Sequence, residues 1–296
     1  MDGLPSWVSD WKRESQSLLH PLDRYAKEAK HTAAITWDPT RPGAIFVEGW
    51  QADKVQMLGD AMQVPEQTGV SEINQLMQAW HNAARLMVMQ HATSYPEEER
   101  LEVYIRTVIG NRKSDIDTAV PTAAECLEME RNYTLYASQF DAVQHATTLL
   151  EYVSANREVR KHLSQNRDSI EPNIWQLLMG PPGTTGVQQD QDVPASIRKV
   201  EGFVEQYGKA AVGAGKFLSL GQHRYGNRFC VTVGGRAAIV PSRTCVGDVI
   251  CFFKGARMPY LVRPQGEDFE LIGCCYVYGM MEWEEMGELA RRFCLV

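Results

Sequence analysis

Between Gly226 and Val296 the apolar positions fall into short runs separated by Gly, Pro and Asp. Four of them are Arg228 to Val233, Asp248 to Phe253, Pro259 to Arg263 and Phe269 to Val277. Each is rich in β-branched and aromatic residues and too short for a buried helix, so each predicts a strand. A fifth, Ala237 to Val240, lies between the first two. Gly234-Gly235, Gly247-Asp248 and Gly266-Glu267-Asp268 supply the turns, because Gly accepts positive φ and Asp can hydrogen-bond its own backbone. Loops this short predict antiparallel neighbours, and five such strands predict a small, tightly curled sheet or barrel.

Upstream the period changes. Ala33 to Trp37 and Ala44 to Glu48 flank a turn composition, Asp38 to Gly43, which predicts a β-hairpin over 33–48 able to join the C-terminal sheet. From Ser71 to Gln90, Ile73, Leu76, Met77, Trp80, Ala84, Met87 and Val88 mark one face of an amphipathic helix, with Ser71 as its N-cap. Pro96 and the acidic run Glu97 to Glu99 open a second helix that stops at Gly110. A long helical tract runs from Thr122 to about Gln165, broken near Phe140-Asp141, and a short helix follows over 170–179. The Gly, Pro, Gln and Asp content of 181–193 predicts a mobile surface loop. A last helix, Ser196 to Val212, leads into the strands. Hairpin, then helices, then strands predict an α+β fold, a helical layer packed on a small antiparallel sheet or barrel. The expected organisation is one interleaved domain over 1–296, mainly helical over 1–220 and β-rich over 221–296. Trp7 and Trp11 are expected to be structural anchors that plug a groove on the main body.

Composition and charge narrow the partners. Hydrophobic residues at 44% and charged residues at 23% suit a globular protein with a core. A formal charge of -7 with scattered Lys and Arg lacks the concentrated basic face that a nucleic acid needs. No apolar run approaches the roughly 20 residues that span a bilayer, and no leader pattern is visible. The seven cysteines show no framework spacing, so the expectation is a reduced, cytoplasmic protein with Cys230, Cys251, Cys274 and Cys275 acting as small hydrophobes. The sequence does not specify an oligomeric state.

Motifs that carry chemistry are sparse. Gly208 to Lys216 has the outline of a phosphate loop, but Phe217 stands where a Ser or Thr would hold magnesium, and a helical pattern precedes it. There is no nucleophile elbow, zinc-binding helix or dinucleotide fingerprint, and no His/Cys/Asp ligand spacing. Neither cofactor nor metal is expected. Two clusters remain. Arg106, Thr107 and Arg112, with Asp115 and Asp117, read either as an anion clamp or as a structural ion pair at a helix end, the commoner case. Tyr276, Tyr278, Glu282, Trp283 and Glu284 end the last long strand. His223, in the loop 221–226, reads as an acid or base near neutrality or as a solvated side chain.

Three stretches in order carry a family resemblance. Gly247 to Gly255, Pro259 to Arg263, Phe269 to Gly273 and Tyr276 to Glu282 resemble the closing segment of fungal heterokaryon-incompatibility (HET) proteins. Leu4 to Trp11 resembles the L-P-S-W-x-P-D-W stretch that follows the HET domain, and Glu102 to Arg112 resembles E-T-x-W-R-T-L-I-x-D. The N-terminal HET domain, held in that family to carry the cell-death activity, would lie before Leu4. The chain departs from the family pattern at Tyr278 (family His), Cys274 (Glu), Glu282 (Asp), Trp283 (Gly) and Ile105 (Trp). The resemblance implies a stand-alone C-terminal module with a recognition or regulatory role. The alternative is a cofactor-independent cyclase or isomerase of fungal specialised metabolism, working in a remodelled apolar pocket. On that alternative Arg106 holds an anionic or carbonyl oxygen, Tyr278 or Glu282 exchanges a proton, and His223 sits at the rim. Arg112, Tyr276 and Trp283 would line the same pocket. The expected partner is a protein or a small apolar ligand, with neither nucleic acid nor membrane.

Overall fold

The structure is a computed structural model and describes residues 35–37, 39–65, 67–113, 119–155, 193–281 and 290–296. The expectations for Trp7, Trp11, Asp115, Asp117, the 170–179 helix, the 181–193 loop up to residue 192, Glu282, Trp283 and Glu284 lie outside the described residues. The described chain falls into two compact units, the first drawn from 1–68, 76–127 and 218–296 and the second from 69–75 and 128–217.

In the first unit the sheet is built on one long strand, β2 (Ile45–Ala61). β1 (Ile35–Trp37) pairs antiparallel with its start, forming the expected hairpin. β9 (Arg291–Leu295), β5 (Val249–Phe253) and β3 (Asn227–Thr232) pair with it in turn. β4 (Ala237–Pro241), β6 (Tyr260–Gln265), β7 (Asp268–Cys274) and β8 (Tyr276–Val277) complete nine strands in the order β5-β6-β7-β9-β2-β3-β4-β8, with β1 on β2. A further β5–β2 pairing closes five of these strands into a ring. All ladders are antiparallel except β7–β9.

Three expectations need correction here. The strands number nine among the described residues where the sequence reading gives seven, two in the hairpin and five C-terminal, because β9 is not legible as a strand and one apolar run divides. The last apolar run is two strands, β7 and β8, separated at Cys275. Consecutive β4 and β5 are not neighbours, since the chain leaves β4 beside β3 and starts β5 beside β2.

Side chains alternate between two faces, as the strand period of two requires. Val249 and Cys251 of β5 join Ile45, Val47, Val262, Phe293 and Leu295 in one core, to which every strand of the ring contributes once Phe253, Phe269 and Leu271 are included. Ile250 and Phe252 point the other way. They join Trp50, Val55, Cys230, Ala238, Val240, Leu261, Ile272 and Val277 in a second core, where the ring meets β3, β4 and β8. β2 serves both because Trp50 faces away from Ile45 and Val47 by alternation, and the bulge between Gln51 and Asp53 then turns Val55 to the same side as Trp50. Gly49 permits the crossing, since a Cβ there would sit 2.3 Å from the Phe252 carbonyl oxygen.

The Gly-Asp and Pro-x-x-Leu-Arg-like stretches have a structural job. Asp248, 2% exposed, accepts from Arg263 Nε at 2.9 Å and Nη2 at 3.0 Å, and from the Cys245 amide at 2.8 Å. This bidentate pair fixes the entry to β5 against β6.

Four α-helices are described: α1 (Val70–His91), α2 (Arg100–Val108), α3 (Ala123–Ala155) and α4 (Val193–Leu220). Two helix limits and one cap differ from the sequence reading. α3 runs unbroken through Phe140 and Asp141. α4 continues past Val212 to Leu220. Ser71 lies inside α1, and its hydroxyl donates to Asp141 Oδ1 at 2.7 Å instead of capping the helix.

The second unit is helical. Tyr133 packs on Phe217 with ring centroids 5.0 Å apart, and Tyr136 stacks on Tyr207 at 5.3 Å. Asn74 Nδ2 donates to the Ala137 carbonyl at 3.0 Å. No helix among the described residues is long and apolar enough to cross a membrane.

Candidate functional site

In the first unit α2 lies against β4, and its sequence explains its shape. Glu102 and Arg106 are one turn apart, and Arg106 Nε donates to Glu102 Oε1 at 2.6 Å. The helix ends in a Schellman turn: Asn111 N–H bonds Arg106 O at 2.7 Å and Gly110 N–H bonds Thr107 O at 3.3 Å. Gly110 adopts φ 66° there, a left-handed conformation that costs Gly little. Asn111 Oδ1 then accepts from Arg106 Nη1 at 2.7 Å. Burial works against the Arg106 charge, but the Glu102 hydrogen bond and nearby Cys126 and Tyr278 outweigh it and raise its pKa. Arg112 donates to the Leu220 carbonyl at 2.6 Å and the Ile109 carbonyl at 3.2 Å, tying the end of α2 to the end of α4.

The structure brings Tyr278 within electrostatic reach of Arg106. Burial raises the Tyr278 pKa against the pull of Arg106. Tyr95, pushed up to about 12 mainly by burial, donates to the Tyr278 carbonyl at 3.0 Å. Tyr276 is buried beside His223, ring centroids 6.3 Å apart, and burial raises its hydroxyl strongly.

His223 is placed differently from the expectation. It lies in the short 3-10 turn Gln222–Arg224, 1% exposed, and is neither at a rim nor solvated. Loss of hydration, reinforced by Arg112 and Arg224, holds its pKa down to about 3. The Thr107 and Leu220 carbonyls approach the ring and favour the proton, but neither reaches hydrogen-bond geometry. The imidazole is therefore neutral at physiological pH.

Sequence reasoning missed three members of this buried polar layer. His81 of α1 pairs through Nδ1 with the Tyr104 hydroxyl, and burial, then Arg224, lowers its pKa. Arg224 is fully buried and its guanidinium fills the space beside Gly221, where a Cβ would clash with it. The signal for His81 was its place on the apolar face of α1, four residues from Met77 and seven from Val88. Nothing in the local pattern marks Arg224.

A cleft of about 180 Å³ opens elsewhere in this unit, between the end of β2 and α1. Met62, Val64, Leu76, Met77, Trp80 and Phe229 supply its apolar walls, and none of the sequence-chosen residues lines it. Beside it, Leu76, Ala79, Ala83 and Leu86 form an exposed apolar stripe along α1, Leu76 being 40% and Leu86 57% exposed. The cleft is below the roughly 300–1,000 Å³ typical of small-molecule sites, but it has room for a large side chain. Among the described residues no group of three or more His, Cys, Asp or Glu could hold a metal.

Residues 190–296 match the family model of the Het-6 beta-barrel domain, a stretch that holds α4 and β3 to β9 but not β1 or β2. No curated protein matches the chain, and no solved structure matches it.

Proposed function

We propose that this chain, whose C-terminal region is a Het-6 beta-barrel domain, acts as a non-catalytic recognition module in HET-type self/non-self biology. The observation that supports this reading is how the accessible and polar groups are distributed. Arg106 and Arg112 are engaged by Glu102, Asn111 and backbone carbonyls, and His223 is buried and neutral. Among the described residues, the cleft and the Leu76–Leu86 stripe of α1 form an accessible apolar surface for a partner. An exposed helix face of this kind suits an apolar protein segment better than a reacting metabolite.

A photo-crosslinking benzoylphenylalanine at Leu86, in cells that naturally make the protein, should yield one discrete adduct above the chain's own mass. The same probe at exposed Glu267 should yield none. A chain without any adduct at Leu86 would sink the recognition reading.

A further inference from the structure

We infer that Arg106 and Tyr278, where α2 and β8 flank β4, form a binding point for the neutral carbonyl oxygen of an amide in a partner protein. The inference rests on the recognition reading, to which it adds a directional polar contact. Two edges of the Arg106 guanidinium are already pinned. Nε donates to Glu102 at 2.6 Å and Nη1 to Asn111 at 2.7 Å. Asn111 does this with φ 53°, the one positive φ of a non-glycine residue among the described residues. A side chain held at the cost of backbone strain points to a position that matters. The guanidinium fork is therefore fixed, while 8% of the residue stays exposed. Nη2, its remaining nitrogen, has no acceptor among the described residues.

Tyr278 is held as firmly. Its N–H donates to the Ala237 carbonyl and its own carbonyl accepts from the Tyr95 hydroxyl, both at 3.0 Å, and the two tyrosine rings lie 5.8 Å apart. β8 pairs with β4 and α2 packs on β4, which brings Tyr278 within electrostatic reach of Arg106. The half-buried Tyr278 hydroxyl has no hydrogen-bond partner among the described residues, and burial keeps it protonated and so a donor. Two fixed donors with nothing to bond suit an oxygen acceptor. The charges nearby decide which kind. Glu102 balances Arg106, and Glu125 is balanced by Lys113. The Cys126 thiol, pushed up to about 11 by burial, is neutral. Exposed Glu99 is also within reach of Tyr278. No positive charge is in surplus, so a carboxylate or phosphate is disfavoured and an uncharged carbonyl is preferred.

The test is an NMR titration of the full-length chain carrying isotope-labelled arginine, in which the Arg106 guanidinium signals are identified by their loss in Arg106→Lys. N-methylacetamide, a stand-in for the peptide bond, and acetamide, a stand-in for Asn and Gln side chains, should move those signals saturably. The tighter of the two identifies the source of the carbonyl. Acetate should bind more weakly than either. Tyr278→Phe keeps the ring and removes only the hydroxyl, so it should weaken amide binding about threefold or more while the other arginine signals stay in place. No saturable shift with either amide, equal affinity in Tyr278→Phe, or acetate binding as tightly as the amides would overturn the inference. None of these results depends on the partner adduct at Leu86, so this site and the recognition reading can fail separately.

Discussion

His223 shows how a single side chain links burial to pH. Its ordinary pKa is near 6.5, and in the folded protein it is about 3. Below pH 6.5 the unfolded chain takes up a proton that the folded chain refuses. Stability is therefore complete above that value and is lost as pH falls toward 3, at up to about 1.4 kcal/mol per pH unit. His81 acts in the same direction. Urea midpoints at about pH 7, 6 and 5 should show this decline, and His223→Gln should flatten it measurably. An unchanged slope in the variant would show that His223 takes up its proton without unfolding. The sequence displayed the residue but not its surroundings, because desolvation comes from α2, α4 and Tyr276, which are distant in the chain. Arg106 has its partner Glu102 one helical turn away, a local spacing that the sequence displays but that the grouping with Asp115 and Asp117 passes over.

At the scale of elements, short-range pattern succeeded wherever one neighbour decided the outcome. β3 to β7 and α1 and α2 fall within a few residues of their predicted limits, because alternation, Gly turns and Pro96 are local signals. β2 was illegible beyond Glu48. A strand that bends through bulges and meets β1, β9, β5 and β3 in turn loses any single period. α4 was cut short at Val212 because Gly213 and Gly215 look like a helix end. In fact Gly213 faces Asn132 of α3 so closely that a Cβ would lie 2.4 Å from its side-chain amide. Gly208 and Gly215 have nothing within 4 Å of that position. Gly208→Ala and Gly215→Ala should each stabilise by about 0.5–1 kcal/mol, whereas Gly213→Val should destabilise by about 1–3 kcal/mol. Thermal melts of the three variants read the sign directly, and a stabilised Gly213→Val would refute the close packing of α3 and α4.

The whole sheet depends on a strand that lies outside the region matching the Het-6 beta-barrel domain. Residues 221–296 expressed alone lack β2, which leaves β3, β5 and β9 each with an unpaired edge. Such edges recruit other chains, so light scattering should find this fragment aggregated. A monomeric fragment that unfolds cooperatively would refute the claim that β2 is indispensable. The same strand sets a schedule for synthesis. β2 leaves the ribosome about 230 residues before β9 does, an interval of roughly 10–50 s at ordinary elongation rates. Throughout it Ile45, Val47, Trp50 and Val55 have no finished core to enter. The nascent protein must therefore wait, with its central strand made early and its last partner, β9, made at the very end, and its yield in the cell should depend on chaperones that shield that strand.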